Sequence, residues 1–331
     1  MTPRTRKRIL AALAWIVGLG VIGLLIAQQD SAELIEALSA AGWWLPVFVL
    51  AFLGTLVLDS LGWRAVILHD RPVALVGLVV RRWVGVSVNA LLPVAQLGGE
   101  VVRARLLRQL GPSGPIAAAS VIVDLTIGLL TQIFFALLGL LLAVVVLGAD
   151  RNLISLGLGL SLFAVLVLAF ALLQMRGTLT SSVDLIGRFV TNGVWLQLAE
   201  SAARLDEQIR AIYAQKRRVL VCGFWRLLGW LWPCLELWLI FWILGHPISL
   251  AEAVMLEAVA QVVRSAGFGI PGGLGVQEGG VMLAATLLGV PTELALAAML
   301  IRRVREFACG LAGLVTWLLL EGKSEERVAV A

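Results

Sequence analysis

Apolar runs of roughly 18 residues or more recur along the whole 331-residue chain, and they leave few folds open. A run of that length crosses the ~30 Å hydrocarbon layer of a bilayer as a helix. Within that layer an unpaired backbone amide or carbonyl costs several kcal/mol, so only helices and closed barrels span it. Barrel strands alternate apolar and polar residues over about ten positions, and no such alternation occurs here. The chain is 60% hydrophobic and 14% charged, against roughly 45–50% and 25% in soluble domains. The predicted fold is an all-α integral membrane protein, one polytopic domain over 1–331.

Six full transmembrane helices are expected, at 9–27, 43–68, 114–147, 153–173, 219–244 and 292–320. The basic MTPRTRKR before the first resembles a signal-peptide start, but signal cores run about 7–15 residues and end at a cleavage site. This run is longer and flows into AQQD, so it reads as a retained span. Two shorter units, 73–110 and 249–288, are interrupted by Gly and Pro and read as re-entrant helix–break–helix hairpins. Loop charge orients the scheme. Arg4, Arg6, Lys7 and Arg8 lie in the N-terminal tail, and QQDSAELIEALSAAG after the first span has acids but no base. The stretch 174–218 is rich in bases and reads as an amphipathic helical segment. Positive-inside reasoning places this segment and both termini in the cytoplasm. The net charge of +5 belongs to these loops, because the bases border apolar runs, and nucleic acid is excluded as a partner.

A repeat emerges at an offset of 178 residues. LLPVAQLGGE, ending at Glu100, falls on GIPGGLGVQE, ending at Glu278; Pro93 falls on Pro271 and Gly111 on Gly289, without a gap. The span 43–68 falls within a couple of residues of 219–244. Repeat one is set at about 43–147 and repeat two at about 219–320. Because 43–68 runs inward and 219–244 outward, the two have inverted topology, as in many transporters.

The stretch GFGIPGGLGVQEGG breaks a helix inside apolar sequence. Such a break survives only beside protein or a water-filled cavity. The half-helix after it aims free N–H groups and its positive dipole end at that cavity. Pro271 interrupts the helix, Gly272 and Gly273 let a substrate or the opposing hairpin approach the backbone closely, and Glu278 either caps the free amides or projects into the cavity. GFGIPG also fits G-x-G-x-x-G, but no strand precedes it and a proline interrupts it, so it is no dinucleotide motif. Upstream, Glu257, Gln261 and Arg264 share one helix face and read as a polar cavity wall. In the first copy Arg81, Arg82 and Asn89 precede the break and Glu100, Arg103, Arg105 and Arg108 follow it. These later arginines fit either cavity groups or positive-inside anchors.

Seven charges fall within expected spans: Asp59, Asp124, Glu236, Arg302, Arg303, Arg305 and Glu306. At roughly 3 kcal/mol each, about 20 kcal/mol in all, they must mostly pair or face the bundle interior. Arg302 and Glu306 are spaced for an intrahelical bridge. The 178-residue offset places Asp124 on Arg302, and these two are expected to pair across the pseudo-axis. His69 and His246 have no ligand-spaced companion, so neither a metal nor another cofactor is expected. No P-loop, G-x-S-x-G or H-E-x-x-H occurs. Cys222, Cys234 and Cys309 read as small core residues, and Trp43, Trp44, Trp225, Trp230 and Trp232 as interfacial anchors.

At SVNALLPVAQLGGEVVRARLL, SAGFGIPGGLGVQEGG and ALAAMLIRRVREFACG the chain resembles the lysylphosphatidylglycerol synthase transmembrane family of flippase-like proteins, over about 9–320. AAASVIVDLT and LGHPISLAEAV most resemble its hopanoid-biosynthesis-associated branch. The resemblance implies an inner-membrane protein that moves or traffics lipids, with paired hairpins enclosing a head-group cavity. The chain runs only to 331 after its last span, so the soluble aminoacyl-transferase domain of full-length synthases is not expected. The functional expectation is a non-enzymatic lipid transporter whose polar cavity gathers the residues named above, with Glu306 and Arg305 added from the last span. Its expected partners are a hopanoid or phospholipid-like lipid and the membrane, with lipid-biosynthesis proteins and a second copy of the chain left open. A membrane-embedded lipid-modifying enzyme using Glu278, or a non-transporting scaffold, are the alternatives.

Overall fold

The computed structural model describes residues 42–92, 97–147, 193–267 and 270–329, with Ser39 and Leu172. The span expected at 9–27, all of 153–173 but Leu172, and Pro93 lie outside the described residues. So does the amphipathic segment before 193. Every regular element among the described residues is helical. In order they are α1 (Leu45–Ala65), α2 (Leu75–Leu91), α3 (Gly98–Leu107), α4 (Gly114–Leu147), α5 (Gly193–Ala214), α6 (Lys216–Ile243), α7 (Leu250–Ala266), α8 (Val276–Leu287) and α9 (Thr292–Ala329).

Three described helices are long and apolar enough to cross a membrane: α1, α4 over Gly114–Val146, and α6. The 38-residue α9 is longer, but Arg302, Arg303, Arg305 and Glu306 interrupt its apolar run. Helices α2 and α7 have 17 residues each, about 26 Å at ~1.5 Å per residue. Each is followed by a break and a second short helix, the layout that the Gly/Pro interruptions predicted.

Helices α1 and α6 lie along one another and antiparallel. Trp232 Nε1 donates to the Ala51 carbonyl at 2.8 Å near one end, and Arg218 reaches the Ala65 carbonyl at 3.3 Å near the other. Two apolar cores flank this pair. One joins Trp63 of α1 to Leu78, Leu107, Ile127, Ile209 and Cys222 of α2, α3, α4, α5 and α6. The other joins Phe48 of α1 to Leu237, Leu256, Val281 and Leu296 of α6, α7, α8 and α9. All three cysteines are buried and unbridged.

Local chemistry fixes the hairpin ends. Ser249 and Glu252 form a reciprocal cap at the start of α7, with bonds of 2.6 and 3.2 Å. At the α2–α3 seam, a Cβ on Gly99 would sit 2.0 Å from the Gly85 carbonyl oxygen, so only glycine lets the helices approach this closely. Asn89 Oδ1 accepts from the Gly99 N–H at 2.8 Å, satisfying an amide that the break frees. The expected tryptophan anchors divide. Trp43 is exposed at the head of α1, whereas Trp230 donates to Thr131 Oγ1 at 3.2 Å and stacks on Phe135 inside the bundle.

Candidate functional site

The second break closes around one arginine. Gly272, Gly273 and Gly275 adopt positive φ of 61°, 66° and 78°, conformations that side chains resist, and so turn the chain from Pro271 into α8. Glu278 is fully buried in the first turn of α8 and accepts from the Gly275 N–H at 2.8 Å. It therefore caps, as one of its two expected roles required. Its other oxygen accepts from Arg303 Nε. Arg303 also donates to the Gly272 carbonyl at 3.0 Å, to Gln277 Oε1 at 3.0 Å and to Glu306 at 2.7 Å. One guanidinium on α9 thus holds the whole break.

Beside it lies a cavity of about 130 Å³, well above the ~10–15 Å³ that one water needs. Its polar wall is Gln261 and Arg264 of α7 with Arg302, Arg305 and Glu306 of α9. Phe52 and Thr55 of α1, Val86, Ser87 and Ala90 of α2, and Pro233 of α6 complete it. Five predicted site residues therefore meet here. Glu257 is buried behind the wall, where Arg302 grips it through two bonds of 2.6 and 3.2 Å and Gln261 donates to it at 2.7 Å. Arg264 pairs with Glu306 at 3.0 Å and Arg305 with Glu236 at 2.7 Å. Four acids (Glu236, Glu257, Glu278, Glu306) face four arginines (264, 302, 303, 305), so the network is neutral as a whole.

The remaining candidates form a different network. Asp124 of α4, 1% exposed, accepts from Arg82 of α2 at 3.1 Å and pairs with Arg103 of α3 at 2.8 Å. Arg103 also pairs with Glu100 at 2.7 Å and covers the Trp63 ring at 4.5 Å. Asp59 joins Arg82 at 3.3 Å to Arg226 of α6 at 2.8 Å. Of the arginines after the first break, Arg103 turns inward and Arg105 outward, with its side chain 67% exposed.

The expected Asp124–Arg302 contact does not form. Each pairs with the first helix of the hairpin that precedes it in the chain, Asp124 with Arg82 and Arg302 with Glu257, with the charges reversed between the two. Which neighbour a charge meets is decided by the helix packed against it, not by a sequence offset. Nor do Arg302 and Glu306 bridge: Glu306 pairs instead with Arg264 and Arg303. Among the described residues no ion pair links the two networks.

The family model described as the lysylphosphatidylglycerol synthase TM region matches residues 9–313. The chain belongs to that family. The chain is also similar to a UPF0104 membrane protein of Methanothermobacter thermautotrophicus, strain Delta H. The two are 26% identical over 322 residues, covering 89% of this chain and 91% of the relative. No solved structure matches.

In this lysylphosphatidylglycerol synthase TM region the site also depends on residues outside the expected cavity set. Arg303 was visible as a charge inside a span but was not singled out, and Gln277 sits beside Glu278 within the quoted motif. Arg226 is the one base in the apolar run 219–244, and that is its signal in the sequence. A second cavity, about 190 Å³ and apolar, lies between α4, α7 and α8, lined by Gly139, Met255, Val259 and Leu287 among others. It lies against the face of α7 opposite Gln261 and Arg264.

Proposed function

We propose that the protein moves a polar-headed lipid between membrane leaflets, with the head group in the cavity at Gln261, Arg264, Arg302, Arg305 and Glu306. The observation that carries this reading is a neutral but densely charged cavity enclosed by helices from both halves of the chain. Guanidinium and carboxylate groups that satisfy one another exchange partners with hydroxyls, amines or phosphates at little net cost, whereas a lone charge would trap its ligand. The apolar body stays in contact with the bilayer or with the apolar cavity beside α4. Hopanoids, with an apolar ring body, are the narrower substrate reading.

Two inverted repeats supply the moving parts of this proposal. Helices α3 and α4 begin at Gly98 and Gly114, and α8 and α9 begin 178 residues later at Val276 and Thr292. The ends of α1 and α6, Ala65 and Ile243, differ by the same 178, and those helices run antiparallel. Such repeats rock against one another around a fixed site. Topology is tested with single cysteines in a background lacking Cys222, Cys234 and Cys309. Sites at Arg71 and Arg108 should react with an impermeant reagent from the cytoplasm, and sites at His246 and Pro291 from outside. Labelling of all four from one side contradicts the inverted arrangement.

Transport is tested in vesicles carrying fluorescent lipids in both leaflets, read by quenching of the outer one. Arg264→Gln should slow lipid movement about tenfold, equivalent to roughly 1.4 kcal/mol on the barrier. Its part-exposed ion pair should cost no more than about 1 kcal/mol of stability. Wild-type rates in folded Arg264→Gln and Arg305→Gln proteins would remove the cavity from the mechanism. Turnover of the lipid to a new product would favour the enzymatic alternative.

A further inference from the structure

Away from both buried networks, the end of α1 and the start of α6 enclose a polar pocket of about 290 Å³. Arg64 ends α1, His69, Asp70 and Arg71 lie in its connection to α2, and Arg218 enters from the first turn of α6. The pocket sets three arginines against one carboxylate, a formal excess of two positive charges. Among the described residues none of the three arginines is in an ion pair. The setting sharpens the imbalance. Lys216, Arg217 and Arg218 occupy the first turn of α6, which has no acid. A helix N-terminus already carries about half a positive charge, so bases there repel it. Arg218 is also tethered, since it donates to the Ala65 and Ile67 carbonyls at 3.3 and 3.5 Å.

We infer that this pocket binds the phosphate of an anionic phospholipid. Charge complementarity selects the anion, and location selects a lipid over a free ion. Helices α1 and α6 are both membrane-crossing candidates, so the pocket lies at span ends, where lipid phosphates lie. In the next turns of α6, Leu220, Val221 and Phe224 are exposed, as befits a helix end that meets lipid. The positions 178 residues beyond Arg64 and Arg71 hold Trp242 and Ser249, neither of them a base. The inference stands apart from transport, because the translocation cavity uses side chains of α7 and α9.

The experiment is native mass spectrometry of the full chain, incubated in detergent with phosphatidylglycerol or phosphatidylcholine. Wild type should retain phosphatidylglycerol preferentially, and each arginine removed should weaken retention about fivefold. Arg64→Gln/Arg71→Gln breaks no hydrogen bond of the described residues and is the primary variant; adding Arg218→Gln should deepen the loss. Arg210→Gln, an exposed base on α5 outside the pocket, should leave retention unchanged. Equal retention by wild type and the double variant, or an equal loss in Arg210→Gln, overturns the site. Millimolar inorganic phosphate that displaces the lipid fully, and binds as tightly itself, overturns the lipid assignment in favour of a free anion.

Discussion

Arg303→Ala should lower stability more than any other single substitution on α9, by about 3–5 kcal/mol. The guanidinium has four acceptors: Glu278, Gln277, the Gly272 carbonyl and Glu306. Its removal leaves Glu278 fully buried and charged with only the Gly275 amide for compensation. Gly272, first of the three positive-φ glycines, then loses the bond that ties the break to α9. Arg303→Lys should recover only part of the loss, because one ammonium cannot reproduce the fork that reaches both sides of the break. Arg303→Met with Glu278→Gln should be less damaged than the sum of its parts, since neither charge is then stranded. Thermal unfolding in nanodiscs checks each step. A wild-type melting temperature for Arg303→Ala would show that the break stands without its staple.

That prediction alters the meaning of Glu278. The sequence left it either capping a half-helix or binding substrate, and the carboxylate is occupied twice over, by Gly275 and by Arg303. The lesson extends to the rest of the site. Gly/Pro interruptions within apolar sequence were enough to place the breaks, because hydrocarbon tolerates no unpaired backbone there. Charges within apolar runs were enough to name half of the charged members of the two networks, because each is too costly to leave in lipid. Partner choice was not legible. Whether Arg103 or Arg105 turns inward depends on the rotational setting of α3 against α4, and both lie in the same short basic stretch. Glu257 faces Arg302 because α7 packs against α9, a tertiary fact that one-dimensional spacing does not hold.

The Asp124 network gives the second large effect, and it separates pairing with the preceding hairpin from pairing across the pseudo-axis. Asp124→Ala should cost about 3–5 kcal/mol, because Arg82 and Arg103 remain buried beside one another with less negative charge between them. Asp59 still pairs with Arg82 and Glu100 with Arg103, which keeps the loss from being larger. Combining Asp124→Ala with Arg103→Met should show strong coupling, since the two side chains meet at 2.8 Å. Combining it with Arg302→Met should be additive, since Arg302 and Asp124 share no partner. The exchange Asp124→Arg with Arg302→Asp is the most discriminating variant. A contact across the axis would survive the exchange and restore stability. Pairing with the preceding hairpin makes it worse than either single change, because it sets a third arginine beside Arg82 and Arg103 and an aspartate beside Glu257. Thermal stability of the exchanged protein at or above that of the single variants would return Asp124 and Arg302 to a shared contact. An unfolded or barely folded exchange, with folded single variants, assigns each charge to the hairpin that precedes it.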